Sequence, residues 1–387
     1  MDSPELKKAF LIADIGGTNP RLALHDGDQI IYENNYKTED FAAPEAVINQ
    51  FITDTKTNGK DADVSHAVFA AAGPVTERQN FRFPLIEKWG EIDWDNMEER
   101  LGFPIELVND FDAQAMNVRQ ITRDQIETLP RADLRGEATQ TTLSTSQAVT
   151  FTLPSDAPSG KTENTKRLIA KAPEAKDRFG VIGSGTALGA ATVTRNPDGS
   201  TTVLSSQMGV VPFTPTTDEQ QDVFKRFVEN SPQHKSGVGN IAGGQGLVDI
   251  YTAAHQLEHE KGNTGDVPKV TAEQVSNVAF GKDIVDGIDP KSASTAMEMF
   301  THALAQSVQT MILTNNTRGG VFLSGGVIEA IKDDMDWETF ETRLMNIGEH
   351  HHYWMKDVPV HIVKDSSRNG IEGAAVYVTG ADPAEPS

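Results

Sequence analysis

Residues 11 to 24 read LIADIGGTNPRLAL, an apolar run that ends in Asp14, two adjacent glycines, and a second run in which Arg21 stands among apolar neighbours. The glycines predict a tight β-hairpin, because tight turns need positive φ angles that Gly adopts at low cost. A hairpin alone leaves Asp14 and the Thr18-Asn19 pair unexplained. Exposed N–H groups, a hydroxyl and a carboxylate at one turn suit a phosphate and its metal ion. We therefore expect a phosphate-binding hairpin here.

The composition predicts a globular protein of more than one domain. The 387 residues are enough for two or three domains, and a hydrophobic content of 37% is enough to fill their cores. Asp and Glu number 56 against 34 Lys and Arg, a net charge of -22, so the surface repels polyanions. We expect no nucleic-acid partner and no membrane surface as a partner. The chain has no Cys, which excludes disulfides, thiol nucleophiles and Cys-based zinc sites.

No segment predicts targeting or insertion into a membrane. The N-terminus MDSPELKKAF lacks an apolar core ahead of a cleavage site. No apolar run approaches the roughly 18 residues needed to span a bilayer. We therefore expect a cytoplasmic protein.

The order of strand-like and helix-like segments predicts an α/β protein of two domains. Residues 1–111 form the predicted small α/β domain, on which residues 366–387 are expected to pack back, and residues 112–365 form the large one. Residues 130–175 are rich in Ser, Thr and Pro and poor in periodicity. They predict an exposed insertion with a short hairpin at AVTFTL.

Further glycine turns repeat the opening pattern. RFGVIGSGTALGAATV (178–193) places a glycine turn with a Thr between two apolar runs, and GGVFLSGGVIEAI (319–331) leads a strand into a third glycine turn. In LVNDFDA (107–113), Asp110 follows an apolar strand, where a carboxylate can project into a cleft. Asp110 has two interpretations: a general base that accepts a hydroxyl proton during phosphoryl transfer, or the N-cap of a following helix.

One motif with a catalytic association fails on inspection. SGKT at 159–162 resembles the end of a P-loop, but Ser155 stands where that loop needs a Gly. The motif also lies in the Ser/Pro-rich stretch and not between a strand and a helix. We interpret it as part of the insertion.

Two histidine clusters are also interpreted as structural. His255, Glu258 and His259 match the H-x-x-E-H order of a metallopeptidase class, but the predicted apolar face of their helix lies on the other side. We expect both His side chains on a solvated face. The adjacent residues 350–352, all His, do not converge on one ion and predict a surface turn.

Taken together, the motifs resemble those of the bacterial glucokinases, in the superfamily of sugar kinases, actin and Hsp70 ATPases. DIGGTNPRLAL resembles their first phosphate motif, GSGTALG the second, GGVFLSGGVI the adenosine motif, VNDF the catalytic loop and GGQGLVDIY another family segment. They follow in the family's order between residue 11 and about residue 375. The resemblance implies the two-domain actin-like ATPase fold, which is ribonuclease H-like, with a cleft between the domains.

The resemblance also implies ATP and Mg²⁺ as cofactors and a small-molecule sugar as substrate, and it allows a homodimer. The positions that match the family's ATP ligands are Ala13, Asp14, Ile15, Gly16, Gly17, Thr18, Gly183, Gly185, Thr186, Gly325 and Gly326. Asp14 would lie near Mg²⁺. Asp110 would be the catalytic base, and Asn109 and Asp110 would bind the sugar.

The sugar-binding positions depart from the family pattern. Gln207 stands in place of a Glu, Val210 in place of a His, and Gly239 in place of a second Glu. Gln207 can still bind a sugar hydroxyl, but the side chains of Val and Gly cannot. Two lost hydrogen bonds to charged groups, at about 1.5–3 kcal/mol each, would lower affinity on the order of 10² to 10⁴-fold. We expect a more apolar, roomier pocket, and Gln207→Glu, Val210→His and Gly239→Glu together should raise glucose phosphorylation.

Functions of different classes remain open. The first is an ATP-dependent kinase that acts on a hexose, either glucose or a related sugar or polyol, as in glycolysis. The second is a non-catalytic or regulatory protein that keeps nucleotide affinity, and the third is a slow ATPase. Asp110 favours the kinase, since a binding module needs no base, whereas the missing sugar ligands favour the second.

Overall fold

The computed structural model describes residues 7–16, 19–73, 75–83, 86–118, 120–129, 175–185, 188–231, 236–262, 265–283 and 285–379. Within these ranges the strands are β1 (Lys8–Ile15), β2 (Arg21–His25), β3 (Ile30–Asn35), β4 (Asp63–Ala71), β5 (Ile105–Asn109), β6 (Ile126–Thr128), β7 (Arg178–Ser184), β8 (Leu188–Arg195), β9 (Thr201–Ser206), β10 (Gly320–Ser324) and β11 (Val360–Val363). The α-helices are α1 (Pro44–Thr57), α2 (Trp94–Leu101), α3 (Asp110–Asn117), α4 (Asp218–Asn230), α5 (Gly244–Glu260), α6 (Ala272–Ala279), α7 (Pro290–Asn315), α8 (Gly326–Ile331), α9 (Trp337–Leu344), α10 (Glu349–Met355) and α11 (Asn369–Thr379).

The first sheet has the strand order β3-β2-β1-β4-β5. β1 pairs with β2 in an antiparallel hairpin, as its glycines predict, while β1 and β4, and β4 and β5, are parallel. One face of the sheet packs with α1 and α2 through side chains such as Phe51 and Trp94. The other face packs with α11 through Ile371 and Ala374. Parallel strands end at the same edge, so the carboxyl ends of β1, β4 and β5 meet there.

The second sheet repeats that arrangement and extends it, with the order β6-β11-β10-β7-β8-β9. β7 and β8 form the second predicted hairpin, and β10 and β11 run parallel to β7. The main apolar core lies on this sheet and includes α5 and α7. In both sheets a glycine hairpin is therefore followed by strands parallel to its first arm.

Helices α3 and α11 cross in close contact. A β-carbon on Gly373 would lie 1.6 Å from the carbonyl oxygen of Ala113, so only Gly fits at this crossing. Beside it, Asn117 Nδ2 donates to Asn369 Oδ1 at 3.0 Å and to Glu372 Oε2 at 3.2 Å. These contacts tie α11, near the end of the described chain, to the helix that begins with Asp110.

The expected solvated face of α5 is wrong for His255 and Glu258. His255 is 2% exposed, and its ring nitrogens lie 3.2 Å from Tyr251 Oη and 3.0 Å from the carbonyl oxygen of Gly265. Buried Glu258 accepts from Lys261 and Lys291. The reason is that α5 packs against α4, α6 and α7, so its buried surface is wider than one apolar stripe. His259 is exposed, as expected.

The second histidine cluster lies in α10 and not in a turn. Among the residues that the structure describes, no group of three or more His, Cys, Asp or Glu side chains could hold a metal ion. In the described part of the chain, no helix is both long and apolar enough to cross a bilayer.

Residues 130–174 lie outside the described ranges. The expected insertion at 130–175, its hairpin and the SGKT motif fall almost entirely within this segment. They remain predictions.

Candidate active site

Asp14 and Asp110 meet at the carboxyl edge of the first sheet. Asp14 lies near the end of β1 and is in register with Ala70, while Asn109, next to Asp110, is in register with Ala71. Burial, together with the negative charge of Asp110 and opposed by the positive charge of Arg21, raises the pKa of Asp14 to about 7. Burial also raises the pKa of Asp110. Two carboxyl groups thus share a poorly solvated site, where ionisation of both is unfavourable.

Asn109, and not Asp110, is the N-cap of α3. Asn109 Oδ1 accepts from the backbone N–H of Phe111 at 2.9 Å and of Asp112 at 3.3 Å. The interpretation of Asp110 as a helix cap is therefore wrong. Asp110 is the first residue of the helix, and its Oδ1 also lies 2.9 Å from the Phe111 nitrogen. Asn109 is both the last residue of β5, opposite Ala71, and the N-cap of α3, so the strand leads directly into the helix.

The second and third glycine turns are in contact with each other. Gly325 has a φ of +102°, and a β-carbon on it would lie 2.3 Å from the carbonyl oxygen of Ser184. Ser184 Oγ donates to the carbonyl oxygen of Ala242 at 2.6 Å, and the Gly244 N–H donates to the carbonyl oxygen of Gly185 at 2.9 Å. The end of β7, the start of α8 and the start of α5 are therefore held together.

The space beside two glycines of these turns is open. A β-carbon built on Gly16 or on Gly326 would meet no atom within 4 Å. Ala13 and Ile15 are different, because their side chains are buried in the core of the first sheet. Only their backbone could contact a nucleotide. Gly17, Thr18 and Thr186, which are also predicted ATP ligands, lie outside the described residues.

A cavity of about 670 Å³ opens beside the first turns of α5. Its walls are Gly244, Gln245, Val248 and Thr252 on one side and residues 267–272 on the other. A β-carbon on Gly244 would lie 3.3 Å from Val327 Cγ2 and 3.7 Å from the carbonyl oxygen of Gly185. The cavity is thus adjacent to both the second and the third glycine turn.

The three positions at which the sequence departs from the family's sugar-binding pattern differ in their surroundings. Gln207 is exposed, and Val210 is 70% exposed. Gly239 is buried, and a β-carbon on it would lie 2.7 Å from Gly209 Cα. The backbone of Gly209 fills the space beside Gly239, so the absence of a side chain does not enlarge a pocket there. The expectation of a roomier pocket is wrong at this position.

Three residues that shape the site, Phe111, Gly189 and Gly370, were not predicted from the sequence. The Phe111 ring packs against Gly183 and Gly189 of the second hairpin. A β-carbon on Gly370 would lie 2.2 Å from Asp14 Oδ2, so the first turn of α11 lies directly on that carboxylate. The signals were present as the last glycine of GSGTALG, Gly189, and the first glycine of RNGIEG, Gly370, but their partners are far away in sequence.

Comparison with known proteins identifies relatives over nearly the whole chain. The glucokinase family model matches residues 11–145 and 151–381. The glucokinase of Caulobacter sp. (strain K31) is 25% identical over 374 residues, which cover 95% of this chain and 94% of that protein.

Solved structures show the same fold. A glucokinase from Balamuthia mandrillaris in complex with glucose has a TM-score of 0.69 at 18% identity and covers 98% of this chain and 96% of its own. A ROK family glucokinase from Streptomyces griseus in complex with glucose and AMPPNP has a TM-score of 0.54 at 16% identity, covering 95% and 98%. The fold is that of the actin-like ATPases. The chain belongs to the glucokinase family, a family of sugar kinases.

Proposed function

We propose that this protein transfers the γ-phosphate of ATP to a hydroxyl of a hexose, either glucose or a related sugar or polyol. The observation that carries the proposal is the pair of half-buried carboxyl groups with raised pKa values, Asp14 and Asp110, beside the first glycine hairpin. The relatives that are named glucokinases, and the glucose and AMPPNP complexes of structural neighbours, support the same substrates.

Asp110 is proposed as the general base. Its Oδ1 is held by the Phe111 N–H, which leaves Oδ2 to accept the proton of the sugar hydroxyl. Burial raises the pKa of Asp110, and a base whose pKa lies closer to the working pH is a better proton acceptor. Asn109 and Gln207 are proposed to bind hydroxyl groups of the sugar.

Asp14 is proposed to hold Mg²⁺ together with the phosphates. The residues fit this ion, because Mg²⁺ prefers oxygen ligands and is commonly bound by only one or two carboxylates plus phosphates. The repulsion between the Asp14 and Asp110 carboxylates indicates a place where a cation is favourable. When bound, the ion neutralises charge on the phosphates. Asp14 fixes its position from the end of β1.

The nucleotide is proposed to lie across the three glycine turns. Backbone groups of Gly16, Gly183 and Gly185 would contact the phosphates, and Gly325 and Gly326 would let the nucleoside approach the backbone. The cavity beside Gly244 is adjacent to these turns and can take the base and ribose. We further propose that residues 1–111 with 366–387 form one domain and 112–365 the other, and that their closure excludes water from the reaction.

The test is a coupled assay of ADP release with MgATP and a panel of hexoses and polyols that includes glucose. We expect release above the rate without acceptor for at least one sugar, and its loss in Asp110→Asn. The proposal would be contradicted if no acceptor raised ADP release above the rate measured without acceptor. Exposed Asp61→Asn is the matched control for removal of one carboxylate.

A second candidate is a nucleotide-binding protein without kinase activity. Gly239 favours it, because the backbone of Gly209 excludes any side chain at this sugar-binding position. Calorimetric titration with MgAMPPNP separates the two functions. Tight nucleotide binding combined with no ADP release for any acceptor would favour this candidate.

A further inference from the structure

Phe111 stands between the proposed base and the second glycine hairpin. Asp110 and Phe111 are the first two residues of α3. The Phe111 side chain is 9% exposed and packs with Val181 of β7 and Ala191 of β8. The residue that follows Asp110 is therefore buried against the second sheet, although Asp110 itself belongs to the edge of the first.

Two opposed glycines make the space for the Phe111 ring. Gly183 and Gly189 face each other in the antiparallel register of β7 and β8, so their side-chain positions lie on the same face. A β-carbon on Gly183 would lie 2.5 Å from Phe111 Cε2, and one on Gly189 would lie 2.4 Å from Cδ2. Atoms that are not bonded do not approach so closely. The ring therefore occupies the volume that two side chains would fill.

A polar contact supports the same connection. Asp112, the next residue of α3, forms a side-chain hydrogen bond with Ser205 of β9, also in the second sheet. The first turn of α3 thus has two successive side chains on the second sheet. The carboxylate of Asp110 lies within electrostatic range of Asp14 in the first sheet.

We infer that Phe111 is a positioning residue, whose ring between Gly183 and Gly189 sets the place of the Asp110 carboxylate relative to the second phosphate hairpin. The inference rests on the proposed kinase function. In that reaction Asp110 holds the acceptor hydroxyl while the hairpin holds the phosphate, so an error in their relative position reaches the reacting atoms. A misplacement of about 1 Å can lower a rate about 100-fold.

The test combines three variants. Phe111→Leu removes Cε2 and Cζ but keeps an apolar side chain, and we expect kcat to fall about 10- to 100-fold with unchanged affinity for MgAMPPNP. Gly183→Ala adds a methyl group that meets those same two ring atoms, and we expect a similar fall in kcat. Because Leu lacks these atoms, the double variant should lose less than the product of the two single losses.

Phe179→Leu is the matched control. Phe179 is a partly buried aromatic residue of β7 that packs on the same apolar cluster as Phe111, but its ring does not occupy the space beside Gly183 and Gly189. It should lower the melting temperature and keep kcat. The measurements are ADP release with the hexose that gives the highest wild-type rate, MgAMPPNP calorimetry and thermal unfolding. If Phe111→Leu does not fold, Phe111→Met replaces it.

The outcomes separate this inference from the proposed function. A wild-type kcat in Phe111→Leu, a simple product of losses in the double variant, or an equal kcat loss in Phe179→Leu would each overturn the positioning role while the kinase function stands. If none of the acceptors raises ADP release by the wild-type protein above the rate without acceptor, the proposed function is contradicted, and the inference fails with it.

Discussion

The carboxylate of Asp14 packs directly against the backbone of Gly370. A β-carbon at Gly370 would lie 2.2 Å from Asp14 Oδ2, so a residue at the end of β1 and a residue in the first turn of α11 share one small space. The proposed metal ligand therefore lies between β1 and α11, two elements that are far apart in the sequence. This contact excludes water from one side of the carboxylate and contributes to the burial that raises its pKa.

Gly370→Ala is expected to lower both stability and metal-dependent nucleotide binding. The added methyl group must displace either the Asp14 carboxylate or α11, and such overpacking costs about 1–3 kcal/mol. Urea unfolding and calorimetry with MgATP measure the two effects. Gly265→Ala is the matched control, because a β-carbon there meets no atom within 4 Å. Equal stability of the two variants would show that the contact is unimportant.

Asp110→Asn is expected to leave MgAMPPNP binding unchanged and to lower turnover at least about 100-fold. General base catalysis contributes at least that factor, and Asn cannot accept the proton. The measurement is ADP release with the best acceptor, next to calorimetry. Full turnover in Asp110→Asn would show that this carboxylate is not the base.

Asp14→Ala is expected to weaken binding of MgATP much more than binding of metal-free ATP. The proposed partner of the Asp14 carboxylate is the ion, and a carboxylate does not attract the phosphates themselves. Paired titrations with Mg²⁺ and with EDTA give the comparison. Equal losses in the two titrations would reject the metal-binding role.

Asp14→Asn is expected to raise the melting temperature of the metal-free protein much more at pH 8 than at pH 5. The pKa of Asp14 is raised to about 7, above its value in the unfolded chain, so the folded state holds the proton more tightly. Stability from the protonated group is therefore lost as the pH rises from about 4 through about 7. Asn resembles the protonated form at every pH. Thermal unfolding in EDTA measures the shift, with exposed Asp61→Asn as control; the same shift at both pH values would contradict it.

Gly239→Glu is expected to destabilise the protein instead of restoring a sugar ligand. Its β-carbon would lie 2.7 Å from Gly209 Cα, a backbone atom that cannot move cheaply. Val210→His, at a side chain that is 70% exposed, should change stability by less than about 0.5 kcal/mol. Urea unfolding compares the two variants. The expected gain in glucose phosphorylation now rests on Gln207→Glu with Val210→His, and unchanged stability of Gly239→Glu would restore the triple change.

Much of the fold could be predicted because its signals are local. Glycine-containing turns between two apolar runs indicated both hairpins, and the pairings β1–β2 and β7–β8 confirm them. The helices α1, α4 and α7 follow their apolar periodicity in the same way. Periodicity along one helix could not show that His255 is buried, because that depends on how many neighbours surround α5.

The sequence by itself determined the α/β class and the glycine turns, because each depends on residues that are close together in the chain, and it determined the family through the order of several such local motifs. It also singled out Asp14 and Asp110, whose roles remain proposals. The tertiary structure alone decided that Gly370 lies on Asp14, that Phe111 fills the space at Gly183 and Gly189, and that Gly209 fills the space at Gly239. Each of these contacts joins separate elements. A missing side chain is visible in a sequence, but whether the space is open or filled depends on which distant backbone or side chain packs there.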